Sequence, residues 1–112
     1  MIYHITTKEE WVKQSKNDSF SPKSLKEEGF IYCALKSQIL PVLNSKFIGR
    51  KDLIVLCIDE KLLKARLNFE DLSNKGEKHP HVYGSINRDA VVKVVRLKPS
   101  EDGTFSLPEG LN

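Results

Sequence analysis

The chain has 112 residues, of which 39% are hydrophobic and 29% are charged. This composition is typical of one folded, soluble domain and excludes a disordered or fibrous protein. Eighteen Lys and Arg residues against fifteen Asp and Glu give a net charge of +3 at pH 7, and the basic residues are dispersed along the chain. The dispersion argues against nucleic-acid binding, whereas the mild positive charge favours a ligand that carries phosphate.

The sequence also bears on location and redox state. Its longest apolar stretch, Leu53–Ile58, is far shorter than the roughly twenty residues that cross a bilayer. The first residues lack the charged-then-apolar pattern of a secretion signal, so we expect a cytoplasmic protein without a membrane partner. Cys33 and Cys57 lie among β-branched and aromatic residues, which predicts reduced thiols buried in the core.

The first half of the chain predicts two strands and two short helices. Thr7 followed three residues later by Glu10 is the pattern of a helix cap, and Gly29 closes a polar stretch that indicates a surface connection with at most one helical turn. Apolar residues recur at helical spacing after residue 37, with Pro41 near the first turn of that helix. In chain order these elements are a strand at residues 1–5, a helix at 8–15, the connection at 16–28, a strand at 30–34 and a helix at 37–47.

The second half predicts strands joined by short connections. Residues 53–58 are apolar throughout, which predicts a central strand buried on both faces. The remaining elements are a turn at 60–64, a marginal strand at 66–70, a loop at 71–80, a connector at 86–89, a strand at 91–97 and a loose tail at 99–112. Because no crossover helix is predicted between residues 59 and 90, the expected fold class is α+β with a mostly antiparallel sheet, in one domain over residues 1–98.

Residues 79–84, His-Pro-His-Val-Tyr-Gly, are the most informative segment. Imidazole titrates near neutrality and the neighbouring phenol can donate or accept a hydrogen bond, so this mixture is typical of a binding loop. The third histidine, His4, lies in an apolar run at the other end of the sequence. The histidines would share one pocket if the fold joins these two segments.

Four short segments carry a family resemblance, and in chain order they are Ile2-Tyr3-His4-Ile5-Thr6, Glu28-Gly29-Phe30-Ile31-Tyr32-Cys33, Phe69-Glu70-Asp71-Leu72 and Pro80-His81-Val82-Tyr83-Gly84-Ser85-Ile86-Asn87. With these segments the chain resembles the bacterial family named domain of unknown function 952 over residues 1–97. That family is more distantly similar to the ADP-ribosyltransferase-like fold. The resemblance implies a small, mostly antiparallel split sheet with two short helices that enclose a cleft.

The resemblance also implies a function, which is the binding of NAD or a related nucleotide and the transfer of an ADP-ribosyl, other glycosyl or phosphate-linked group. In the wider group a first-strand histidine or arginine holds the NAD ribose and a second-strand position lies beside the nicotinamide. His4 matches the first position and Tyr32 is near the second. His81 lies where transferases have a late acidic residue, which implies an acid/base or acceptor-positioning role, with Glu70 as the carboxylate. Tyr32 and Ala34 replace the histidine and serine of most relatives.

The two catalytic candidates are His81 and Glu70. The ligand-binding candidates are His4, Thr6, Tyr32, Tyr83 and Asn87. No metal is predicted, because no second ligand pair at zinc-finger spacing accompanies His79 and His81, and we expect those two rings to point apart. A nucleophilic Cys33 with His81 as its base would need an exposed thiol, which the apolar neighbours of that cysteine do not favour.

Each candidate also has a structural interpretation. His4 would be a hydrogen-bonded core histidine, Tyr32 a half-buried packing residue and Glu70 a solvated strand end. The polar side chains of residues 81–87 would cap the backbone of a loop. Under these interpretations the protein is a non-catalytic module that binds a small molecule or a partner protein.

Overall fold

The structure is a computed structural model that describes residues 1–111. In chain order it contains β1 (Ile2–Thr7), α1 (Lys8–Lys13), β2 (Ser19–Phe20), α2 (Lys23–Glu28), β3 (Ile31–Tyr32), α3 (Lys36–Lys46), β4 (Leu53–Ile58), β5 (Arg66–Glu70), β6 (His79–Tyr83), β7 (Ile86–Asn87), a 3-10 turn at Arg88–Ala90 and β8 (Val91–Arg96). The strands form three small sheets in the orders β1-β4-β8, β3-β6-β5 and β2-β7, and the pairings are antiparallel. The predicted α+β class with mostly antiparallel sheets is therefore confirmed.

β4 is the central strand of the first sheet, as its continuous apolar sequence predicted, and all six of its side chains are buried. Its residues alternate between two cores because successive side chains of a strand point to opposite faces. The core between the first sheet and the other two sheets contains Ile2, Phe20, Ile31, Cys33, Ile54, Leu56, Ile58, Val82, Ile86 and Ala90. The core on the other face, under α3, contains Tyr3, Ala34, Ile39, Leu43, Leu53, Val55, Cys57, Leu97, Phe105 and Leu111.

The segment at residues 16–28 differs from the prediction of a surface connection. It contains the short strand β2 and the six-residue helix α2, so the described chain has three α-helices where two were expected. Phe20 is fully buried and packs edge-on against Trp11, with ring centroids 5.2 Å apart. This one apolar side chain fixes the segment on the core, and Gly29 ends α2 in the left-handed conformation at φ 83°.

Residues 79–83 also differ from the prediction, because they form the strand β6 where a loop was expected. Pro80 lacks an N–H group, which made a strand improbable from sequence. Its carbonyl nevertheless accepts a hydrogen bond from Cys33 N at 2.9 Å. Gln38 of α3 donates from Nε2 to Lys78 O at 2.8 Å, so the first turn of α3 holds the start of β6 in place.

The last described segment, residues 99–111, has no helix or strand but contributes to the core. Phe105 and Leu111 are buried in the core under α3. Asn44 fixes the segment by accepting from Phe105 N at 2.7 Å and donating to Phe105 O at 3.2 Å. The expected boundary at residue 98 therefore does not coincide with the edge of the core. Within residues 1–111, no helix has the length and apolar character needed to cross a membrane.

Candidate functional site

A cavity of about 680 Å³ lies over the second sheet, between α3 and the loop at residues 71–77. Its floor follows from strand pairing. Tyr32 pairs with His81 across β3 and β6, and Glu70 pairs with His79 across β5 and β6. Since the alternate residues Ile31 and Val82 enter the core, these four polar side chains share the outer face of the sheet. His79 and His81 therefore lie on the same face, and our expectation that they point apart was wrong.

His81 is held by Glu70 on the floor of this cavity. His81 is 3% exposed, and its Nδ1 lies 3.0 Å from Glu70 Oε1. The same carboxylate oxygen accepts a hydrogen bond of 2.5 Å from the Tyr83 hydroxyl. These hydrogen bonds, first from Tyr83 and then from His81, lower the pKa of Glu70, so the carboxylate is ionised at neutral pH. The arrangement fixes the ring of His81 in one orientation.

The other ring nitrogen of His81 faces the cavity. A carboxylate acceptor requires a proton on Nδ1, so Nε2 of the neutral ring carries a lone pair. Among residues 1–111, Arg88 Nε is the only buried side-chain nitrogen or oxygen that lacks a hydrogen-bond partner. The structure gives no protein partner to His81 Nε2, so this atom is open to the cavity that His81 lines. It is therefore placed to accept a proton or a hydrogen bond from a ligand.

A second chain of polar contacts runs beside the first. The Tyr32 hydroxyl lies 2.8 Å from His79 Nδ1, and His79 Nε2 lies 3.1 Å from Glu77 Oε1. A proton on Nε2 faces this carboxylate, which leaves Nδ1 to accept from the hydroxyl. Burial and, less strongly, the charge of Glu77 raise the pKa of Tyr32, which keeps the phenol neutral. Lys46 of α3 places its Nζ 4.7 Å from the centre of the Tyr32 ring.

Sequence reasoning missed several of these cavity residues. His79 was part of the selected motif, and its spacing of two from His81 on a strand was the signal that both rings share a face. Phe30 packs its ring 4.5 Å from that of His81, and it stands two residues before Tyr32, which gives the same signal. Glu77 and Lys46 come from a loop and a helix end, and no local pattern marks them.

His4 lines the cavity, as a ligand-binding residue would, and is also a buried, hydrogen-bonded core histidine. The functional and the structural interpretation each describe part of what is observed. Its Nδ1 lies 2.8 Å from Tyr32 O, at the point where β1 and β3 separate into different sheets. Burial lowers the pKa of His4 to about 4, which the bond to Tyr32 opposes only in part. The ring is neutral at pH 7 and donates from Nδ1. All three histidines thus lie along one cavity.

The three other predicted ligand-binding residues do not line the cavity that the described part of the chain forms. They are Thr6, Tyr83 and Asn87. Thr6 is buried on β1 opposite Ile54. Tyr83 contacts two residues that line the cavity, through its bond to Glu70 and a ring contact with Phe30 at 5.8 Å between centroids. Asn87 accepts from Lys64 N at 2.9 Å and donates to Leu62 O at 2.8 Å, and it also contacts Asp89. The polar atoms of Asn87 are therefore used in holding the backbone.

The cysteines and the metal-ligating side chains bear on two other kinds of site, a thiol nucleophile and a metal site. Cys33 and Cys57 are buried free thiols, as predicted. Burial strongly raises the pKa of the Cys33 thiol, which removes it as a nucleophile at neutral pH. In the part of the chain that the structure describes, no group of three or more His, Cys, Asp or Glu side chains is placed to hold a metal ion.

The charge of the cavity is opposite in sign to the charge of the whole chain. Among the described lining residues, the carboxylates are Glu28, Glu70, Asp71 and Glu77, and the ammonium groups are Lys46 and Lys75. From the carboxylates and ammonium groups alone, the lining thus carries two more negative than positive charges. Backbone N–H groups, first that of Lys75, lower the pKa of Asp71, so this carboxylate is ionised as well. The phosphate preference expected from the net charge does not follow from the local charge.

Comparisons with known proteins give a family and a fold. Residues 5–94 match the family model described as Protein of unknown function (DUF952). No curated protein matches the chain. A crystal structure of protein CC0527 from Caulobacter crescentus is 25% identical, with a TM-score of 0.84 over 95% of this chain and 93% of that chain. Its solution NMR structure is 24% identical, with a TM-score of 0.75 over 95% and 91%. Because the family model spans most of the sequence, the chain belongs to the DUF952 family.

Proposed function

We propose that the cavity binds NAD or a related nucleotide and that His81, oriented by Glu70, is the acid/base group of a transfer reaction. The observation that carries this proposal is the bond of 3.0 Å between His81 Nδ1 and Glu70 Oε1, with Nε2 open to the cavity. A buried imidazole held by a carboxylate on one nitrogen, and free on the other, is the arrangement that general-base catalysis requires.

The shape of the site supports a ligand of this class. The volume of about 680 Å³ lies within the range of about 300–1,000 Å³ that small-molecule pockets have. Phe30 and Tyr32 provide flat ring surfaces beside His81, with centroids 4.5 and 5.7 Å from the imidazole. His4 on the first strand meets Tyr32 on β3 at the split between the sheets, which supports the similarity to the ADP-ribosyltransferase-like fold.

The proposed reaction is the transfer of ADP-ribose from NAD to an acceptor hydroxyl or amine. The bond between C1′ of the ribose and the nicotinamide nitrogen breaks, and its electron pair leaves with nicotinamide. The acceptor forms the new bond to C1′ and gives its proton to His81 Nε2. Ionised Glu70 stabilises the resulting imidazolium, and the carboxylates of the cavity favour the positive charge that develops on the ribose.

The alternative is a module that binds a small molecule without turnover. It is supported by the hydrogen bonds that the polar groups of the floor make to one another. Glu70 bonds to His81 and Tyr83, and the Tyr32 hydroxyl bonds to His79. In this arrangement the groups hold one another and shape a rigid binding surface. The same experiment decides between the two functions.

The test is calorimetric titration of the purified protein with NAD and ADP-ribose, together with chromatographic detection of released nicotinamide. The variant is His81→Gln, which keeps a polar side chain but removes the base, and Glu101→Gln in the exposed last segment is a control. If the protein is an enzyme, we expect NAD to bind both the wild type and His81→Gln. Nicotinamide should be released by the wild type and not by His81→Gln. Binding without turnover in the wild type supports the module, and absence of binding of both NAD and ADP-ribose refutes the nucleotide proposal.

A further inference from the structure

We infer that the aromatic floor of the cavity takes a planar aromatic cation in preference to a neutral ring of the same shape. The inference rests on the proposed binding site and names the chemical class of its ligand. Three observations carry it, which are a cation already placed on the floor, an excess of carboxylates around it, and a ring nitrogen of His81 that has no protein partner and is open to the same space.

The cation is the ammonium group of Lys46. Its Nζ lies 4.7 Å from the centre of the Tyr32 ring, within the distance at which the negative face of an aromatic ring attracts a positive charge. Lys46 is exposed in the last turn of α3, so its long side chain can leave the ring without disturbing the fold. The face of Tyr32 is therefore a cation site that a flexible side chain covers and that a ligand can take over.

The charges around the floor favour such an exchange. Glu77 is bonded to His79, whose ring stacks 4.8 Å from that of Tyr32. Glu70 is bonded to His81, whose ring lies 5.7 Å from that of Tyr32. Together with Glu28 and Asp71 these carboxylates outnumber the two lysines of the described lining. A ligand cation on the floor is attracted by these carboxylates, whereas an anion there meets repulsion.

His81 supplies the directional contact. Its Nε2 is open to the cavity while the ring is almost completely buried between Phe30 and Tyr32. A lone pair in this position accepts a hydrogen bond from an N–H or O–H group on the rim of a bound ring. The expected ligand is thus a planar cation with a donor substituent, and the pyridinium ring of an oxidised nicotinamide compound is one example.

The test compares two probes of nearly equal shape, the 1-methylnicotinamide cation and neutral nicotinamide, by calorimetric titration. We expect the cation to bind between about twofold and thirtyfold more tightly, as a cation–π contact in a partly dry site provides. In Lys46→Met the competing ammonium is lost, so the cation should bind more tightly than in the wild type. In Glu77→Gln it should bind more weakly, with nicotinamide little changed. The matched controls are Lys51→Met and Glu101→Gln, both at exposed positions outside the cavity lining.

Equal affinity for the two probes, weaker cation binding in Lys46→Met, or no binding of either probe would overturn the inference. The outcome is separate from that of the proposed function. Selective binding of 1-methylnicotinamide without any binding of NAD would support the cation site and refute the nucleotide proposal. Binding of NAD with equal affinity for the two small probes would do the reverse.

Discussion

Neutral, buried His4 makes the fold sensitive to acid. Its pKa is lowered by burial from 6.5 to about 4, so between these values the unfolded chain binds a proton that the folded chain does not. The free energy of unfolding therefore rises with pH across this window. The contribution of His4 to stability is lost as the pH falls from 6.5 toward 4. For this pair of pKa values, acidification from pH 7.5 to 4.5 costs roughly 2.5 kcal/mol from this one group.

The measurement is urea unfolding of the wild type and of His4→Asn at both pH values. Asparagine keeps a donor close to the position of Nδ1, where Tyr32 O accepts, but does not titrate. Carboxylates with lowered pKa values, such as Glu70 and Asp71, also lose stabilisation in acid, and this loss is common to both proteins. With an m-value of about 1.5 kcal/mol/M, the wild-type midpoint should fall by about 1.7 M more than that of the variant. An equal fall in the two proteins would show that His4 is accessible to protons, and the argument from burial would be refuted.

Three further predictions concern the site and the packing around it. Glu70→Gln should lower any turnover by about 100-fold or more, because the ring of His81 loses its orienting carboxylate, while the affinity for the nicotinamide probes should change much less. Unchanged turnover in the chromatographic assay would contradict this role of Glu70. Asn87→Ala should cost about 2–3 kcal/mol in urea unfolding while ligand titrations stay unchanged, since its bonds to Lys64 N and Leu62 O hold the backbone, and a selective loss of binding would contradict this. Phe105→Ala should cost about 3–5 kcal/mol, and a cost near zero would show that the last segment is loose after all.

The elements that the sequence predicted well are those with a long periodic signal. β4 is apolar over six residues, and α3 repeats apolar positions over three turns, so both have nearly the predicted bounds. β2 has two residues, a length at which alternation carries no information, and only the burial of Phe20 reveals it. Residues 71–80 were predicted as a loop, although the carbonyl that Pro80 retains is sufficient for pairing.

The sequence predicted the site residues that lie together on one strand. It did not predict the net charge of the cavity. His81 and Tyr83 were selected from a local motif, and the distant Glu70 came from the family resemblance. The carboxylates that decide the local potential come from the end of α2, the end of β5 and the loop before β6, and they meet only in the folded chain. A net charge of +3 is a sum over the whole surface, whereas a ligand responds to charges within about 10 Å of it. For this reason we expect a ligand cation on the floor of the cavity, with the phosphates of a nucleotide near Lys46 and Lys75. A NAD-type ligand would therefore bind with its positively charged ring inside and its phosphates at the rim.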